Sequence, residues 1–135
     1  MAKYRFRIFD KNQGQYMFPT IEGRVPVWKS KAGGITLDLA LQDDNLFSVE
    51  MKIPDTLDYT GKEIYEGDIV EILEDDKDLD NIKNNEMFIV KWVNMDDFYF
   101  FGLVDSKGNP IFDLSKQKML LVVGNVNENK GLFPY

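Results

Sequence analysis

The sequence predicts an all-β protein, and three observations carry that expectation. Apolar residues recur with a period of two over most of the chain, which sends alternate side chains to opposite faces of an extended strand. Clusters of Gly, Asn and Asp separate these runs at hairpin distances. No segment keeps helical spacing for more than about one turn. A chain of 135 residues makes one compact domain, or two small β subdomains sharing a core, and at this size about two-thirds of the unfolded chain's surface is buried on folding. No disulfide staple is needed.

The first strand is expected over residues 3–9, where charged and apolar side chains alternate. Asp10-Lys11-Asn12-Gln13-Gly14 reads as a hairpin turn into a return strand at 15–18. Gly33-Gly34 precede Ile35, Leu37, Leu39 and Leu41, which alternate with Thr36, Asp38 and Ala40 and describe a strand with one buried face. Asp43-Asp44-Asn45 break it. Phe47, Val49, Met51 and Ile53 alternate again, and Pro54-Asp55 end this antiparallel partner of the preceding strand.

In the second half, residues 69–73 and 87–93 read as strands separated by a long polar connection. Asn94-Met95-Asp96-Asp97 turn the chain into a strand at 98–104, Asp105-Ser106-Lys107-Gly108-Asn109 turn it into 110–114, and 120–126 close the sheet. Residues 113–118 have room for one helical turn. Short strands on tight turns over residues 59–135 describe a small SH3-like barrel, with residues 1–58 as an additional N-terminal β layer. No repeat, low-complexity tract or flexible linker interrupts them.

The segment from Tyr59 to Val70 is too particular for a generic strand entry: Tyr59-Thr60-Gly61-Lys62 leads into Glu63, Ile64, Tyr65, Glu66, Gly67, Asp68, Ile69 and Val70. Gly61 and Gly67 supply backbone freedom where a Cβ would clash, and Gly67-Asp68 turn the chain into the strand that follows. Glu66 and Asp68 form a carboxylate pair on paper. A carboxylate placed just before a strand more often accepts bonds from turn N–H groups, so the reading of this segment is structural. The segment resembles the signature of the YopX family, small proteins encoded by bacteriophages and prophages. Residues 6–11 look like that family's opening strand, and residues 123–129, with Gly124 and Asn125, like its closing one. The resemblance implies an SH3-like fold and a phage context, but no biochemical activity. Family members carry a longer charged loop between the Tyr-Thr-Gly and Lys-Glu-Ile elements, which here are fused at Gly61-Lys62.

Composition excludes more chemistry than it offers. The chain has no Cys and no His, which removes thiol nucleophiles, redox pairs, the usual general base at neutral pH and the commonest ligands for zinc, iron or copper. Absence of Cys fits a reducing bacterial cytoplasm, and no apolar run suits a signal peptide or a membrane span. No catalytic residue, cofactor or metal is expected. Asp76, Asp78 and Asp80 have the alternate spacing of a calcium loop, but Asn81 stands at the turn glycine and Glu86 falls one position short of the bidentate ligand. Ser115-Lys116 lacks an accompanying motif. Gly33-Gly34 lead into a strand rather than a phosphate-cradling helix.

What remains is binding. Phe98, Tyr99, Phe100 and Phe101 put two rings on each face of one strand, so both faces need cover. Trp28 and Trp92, with Phe133 and Tyr135, add amphipathic surface. The expected function is therefore a noncatalytic binding or assembly role, with a homo-oligomer or another protein as partner. The alternative is an acidic nucleic-acid-related protein: a weak binder using Arg5, Arg7 and Arg24, or a mimic whose carboxylates occupy a host protein's DNA groove. A net charge of −7 disfavours direct contact with a phosphate backbone, whose affinity comes largely from Lys and Arg.

Overall fold

The computed structural model describes residues 6–31, 33–73, 87–114 and 119–129. The chain is mostly β, with three antiparallel sheets and one short helix, and one sheet curls into a half-barrel. It forms two compact units, Met1–Lys52 and Ile53–Tyr135. Strands β1 (Phe6–Asp10), β2 (Gln15–Tyr16), β6 (Phe47–Leu57) and β7 (Glu63–Tyr65) form one sheet in the order β2-β1-β6-β7. Strands β3 (Phe18–Glu22), β4 (Val25–Ser30) and β5 (Gly33–Ile35) form a second, in sequence order. The half-barrel contains β8 (Asp68–Ile72), β9 (Met87–Met95), β10 (Phe98–Val104), β11 (Pro110–Asp113) and β12 (Leu120–Asn125), ordered β11-β10-β9-β8-β12.

Each unit has its own core. In the first, Ile8, Met17, Trp28 and Ala40 are buried, with Phe6, Ile35, Leu37, Phe47 and Val49 packed against them. In the second, Ile53, Ile64, Val70, Phe88, Val90, Leu103, Leu114 and Leu120 fill one side of the curled sheet. Ile69 and Ile89, directly opposite each other in β8 and β9, form a smaller cluster with Met87, Val123 and Val126. Alternate residues of β8 thus enter two different clusters, which is why Ile69 and Val70 are both inaccessible to solvent.

Three expectations are corrected. The strand expected over 35–41 ends at Ile35, and Leu37–Leu41 is a helix, α1, with Thr36 as its extended N-cap residue. Leu37 and Ala40 turn toward the core while Leu39 and Leu41 face solvent, a three-residue spacing that the same letters accommodate as readily as alternation. Leu and Ala are strong helix formers, and no β-branched residue opposes them here. The strand expected to stop at Pro54-Asp55 continues to Leu57, with Asp55 held at φ 53°, a left-handed conformation that Asp tolerates better than most residues. The return strand expected at 15–18 is divided: β2 ends at Tyr16, the buried Met17 joins the core, and Phe18 opens β3. The β3–β4 hairpin, turning through Gly23-Arg24 with Gly23 at φ 65°, is an addition to the predicted elements.

The remaining strands of the half-barrel fall within a few residues of their expected positions, and β10 spans 98–104 as expected. The expected opening at residues 3–5, the connection at 74–86, the helical turn beyond Leu114 and the carboxyl-terminal Phe133 and Tyr135 lie outside the described residues. So do Arg5, the calcium-like Asp76, Asp78, Asp80 and Glu86, and Ser115-Lys116.

Candidate functional site

Several carboxylates are buried, and those with assigned partners serve the backbone or an ion pair. Asp58, just before the signature, is the most heavily engaged. One carboxylate oxygen accepts from the Thr60 N–H at 2.8 Å, the Thr60 hydroxyl at 2.7 Å and the Lys62 N–H at 2.9 Å. The other accepts from the Val122 N–H at 3.0 Å, and the Tyr59 N–H donates to the Leu120 carbonyl at 2.6 Å. Loop 58–62 therefore covers the outer edge of β12, with a side-chain carboxylate taking the place of a neighbouring strand's carbonyl. Burial works to raise the pKa of Asp58, but the bonds from Val122, Thr60 and Lys62 outweigh it and hold the carboxyl below its ordinary value.

Asp68 sits inside the signature turn, where its carboxylate accepts from the Tyr65 N–H at 2.8 Å. Gly67, at φ 91°, donates its N–H to the Val90 carbonyl at 2.8 Å and accepts from the Val126 N–H at 3.0 Å. A left-handed glycine thus bonds through both of its backbone groups, to β9 on one side and to the residue after β12 on the other. Opposite Asp68, Asn125 closes β12: its side-chain carbonyl accepts from the N–H groups of Asn127 and Glu128, and its amide donates to the Glu128 carboxylate. Gly124 follows a register irregularity in the β8–β12 pairing.

In the first unit, Glu50 accepts from Arg7 Nε and the Tyr16 hydroxyl, both at 2.7 Å, while the Arg7 guanidinium lies over the Tyr16 ring. Asp10 caps its hairpin turn by accepting from the N–H groups of Asn12 and Gln13. Arg7 therefore serves an internal ion pair, whereas Arg24 is exposed at the β3–β4 turn. A surface cavity of about 280 Å³ is lined by Lys11, Ala40, Leu41, Asp44, Phe47, Ser48 and Val49. It brings together one carboxylate and one ammonium, and Lys11 Nζ donates to the backbone carbonyl of Asp44.

The exposed feature is aromatic. Trp92 in β9 lies directly opposite Phe101 in β10, with ring centroids 4.6 Å apart and edge-to-face. Tyr99, two residues back on the same face, stacks on Trp92 at 6.0 Å, and its hydroxyl lies 3.4 Å from the Asn94 amide. Trp92 is 49% exposed and Tyr99 59%. Phe100 points to the opposite face and is half-buried, and the Phe98 backbone pairs with Met95 at the hairpin end. The hairpin turns through Asp96 and Asp97, both exposed, with Asp96 at φ 56°. Of the aromatic residues expected on a binding surface, Trp92, Tyr99 and Phe101 form one patch. Trp28 lies in the core of the first unit, 3% exposed.

Sequence reasoning passed over Asp58. The signal was present in Asp58-Tyr59-Thr60, an aspartate two residues before a hydroxyl and three before a glycine, the pattern of a side-chain-capped turn. Among the described residues, no helix is long and apolar enough to cross a membrane.

Protein EF1440 from Enterococcus faecalis resembles the chain with a TM-score of 0.53 at 19% sequence identity, over 95% of this chain and 96% of that one. At that identity the likeness concerns the fold. No curated protein matches the chain. The profile of the YopX protein family matches residues 5–133, a span that takes in the Arg7–Glu50 pair, the Gly67 turn and the Asn125 closure, and the chain therefore belongs to the YopX family.

Proposed function

We propose that the protein is a noncatalytic assembly protein of phage or prophage origin, working in the host bacterial cytoplasm, and that it associates with further copies of itself through the exposed aromatic surface near the turn of the β9–β10 hairpin. The observation that carries this reading is the stacked pair of Trp92 and Tyr99, each about half or more in water. Aromatic side chains of this size leave roughly 250 Å² of apolar surface exposed between them. At ~25 cal/mol per Å², covering it yields about 6 kcal/mol before the costs of association. That is enough for the centre of an interface, where Trp and Tyr carry most of the binding energy. A stable dimer needs about 800 Å² per partner, so the contact has to extend beyond these two rings. The noncatalytic part rests on the missing His and Cys and on the internal hydrogen bonds of Asp10, Glu50, Asp58 and Asp68.

The chain's two tryptophans provide the test. In dilute protein, acrylamide should quench Trp92 and leave the buried Trp28 protected. Raising the concentration into the micromolar range should protect Trp92 as well. Quenching that does not change with concentration would refute the reading.

A further inference from the structure

Resting on that reading of the β9–β10 face, we infer that the contact is heterologous: the Trp92–Tyr99 hairpin of one copy docks on the outer face of the β3–β4 hairpin of the next. The register places Phe18 opposite Lys29 and Glu22 opposite Val25, so these four side chains share one face of the three-stranded sheet. Trp28 lies on the other face, in the core. Phe18 is 77% exposed and Val25 51%. Phe18 is the most exposed large apolar side chain among the described residues, and it lies in the outer strand of its sheet.

Charge selects this surface as the partner. Residues 92–101 of the aromatic hairpin carry two carboxylates, Asp96 and Asp97, and no cation. Residues 18–31 carry three cations, Arg24, Lys29 and Lys31, against one carboxylate, Glu22, which is bridged to Lys29. Docking the aromatic face on a second aromatic face would instead leave all four turn carboxylates without an opposite charge, on chains already at −7, which makes it the poorer match. The heterologous contact sets opposite charges around a centre of Trp92, Tyr99, Phe18 and Val25. It also leaves each copy with one used and one open surface, so assembly continues into a ring or a filament.

Salt dependence separates the two geometries. Repulsion between the net charges acts over distances beyond the ~8 Å Debye length at 0.15 M and is screened first. The local attractions between Asp96 or Asp97 and the Arg24 group are screened only at higher salt. Association should therefore strengthen from low to physiological ionic strength and weaken again toward 1 M, whereas a purely apolar contact strengthens throughout.

Complementation by mixing is the decisive experiment. Phe18→Asp and Trp92→Ala each change an exposed side chain and each remove one surface. Each variant alone should sediment as a single 15.7 kDa chain, and a 1:1 mixture should give a species of twice that mass and nothing larger. In a second pair, Arg24→Glu and Asp97→Lys, each variant alone should be a single chain, and because the two exchanged charges attract each other their mixture should assemble beyond the dimer, so the test does not hang on one substitution. Wild-type-like assembly of Phe18→Asp, with Trp92→Ala monomeric, would overturn the heterologous contact and leave the β9–β10 face as a self-complementary interface. A monomeric mixture of both pairs would also overturn it. A monomeric wild type would remove the underlying reading as well.

Discussion

Replacing Asp58 with Asn keeps the size of the side chain and exchanges one carboxylate oxygen for an NH2 group. All four groups that face this carboxylate are donors: the N–H groups of Thr60, Lys62 and Val122, and the Thr60 hydroxyl. Whichever way the amide turns, at least one donor meets another donor. The Val122 side is the simplest arrangement, because a single N–H is lost there against three on the other oxygen. A hydrogen bond to a charged acceptor contributes about 1.5–3 kcal/mol, and an unsatisfied buried donor costs about 1–3 kcal/mol. The expected loss at pH 7 is about 3 kcal/mol, equivalent to a fall of roughly 1–2 M in urea midpoint for a protein of this size. The pH dependence supplies an internal check. The folded pKa of Asp58 lies below its unfolded value, so the carboxylate's stabilisation is fully present above the ordinary aspartate range near ~4 and is lost as pH falls through the folded pKa. Because Asn does not titrate, the gap between wild type and Asp58→Asn should narrow as the solution is acidified below ~4. Urea melts at pH 7 and at several acidic values measure it. A gap below about 0.5 kcal/mol at neutral pH, or one that does not change on acidification, would show that the carboxylate does not hold the edge of β12.

Three further outcomes are expected. Gly67→Val places a β-branched residue at φ 91°, a strain of about 1–3 kcal/mol, and should lower the denaturant midpoint well beyond the effect of Glu66→Ala. Glu50→Gln removes the charge beneath Arg7 and Tyr16 and should destabilise by about 1–3 kcal/mol, since two hydrogen bonds lose their charged acceptor; thermal melting reads the loss. Leu41→Glu should leave the melting temperature within about 1–2 °C of wild type, because Leu41 is 58% exposed and surface changes are small, whereas a strand with Leu41 on its buried face would not tolerate it.

The half-barrel was largely legible because its signals are local. Phe98 to Val104 is an aromatic and aliphatic run bounded by Asp96-Asp97 and by the Asp105–Asn109 turn, where Asp105 caps the N–H groups of Lys107 and Asn109. The first unit was less legible. Residues 37–41 fit both a period of two and a helical turn, and five residues are too few for periodicity to decide. Pro19 and Pro26 obscured the β3–β4 hairpin, yet each takes a place in the three-stranded sheet. The turn at Asp58 is announced locally, but its cover of β12 is not: its partner Val122 is 64 residues away, and nothing in the adjoining sequence says that an edge strand will need covering there. The two tryptophans make the same point about exposure. Trp28 and Trp92 each sit in strands, but only the fold distinguishes one at 3% exposure from one at 49%.

The central claim is that the β9–β10 face assembles the protein, and light scattering coupled to size exclusion tests it most directly. Wild-type protein at micromolar concentration and physiological salt should show a mass several times the 15.7 kDa of one chain, while Trp92→Ala combined with Tyr99→Ala should elute as a single chain that still unfolds cooperatively. A single-chain mass for the wild type under these conditions would contradict the account.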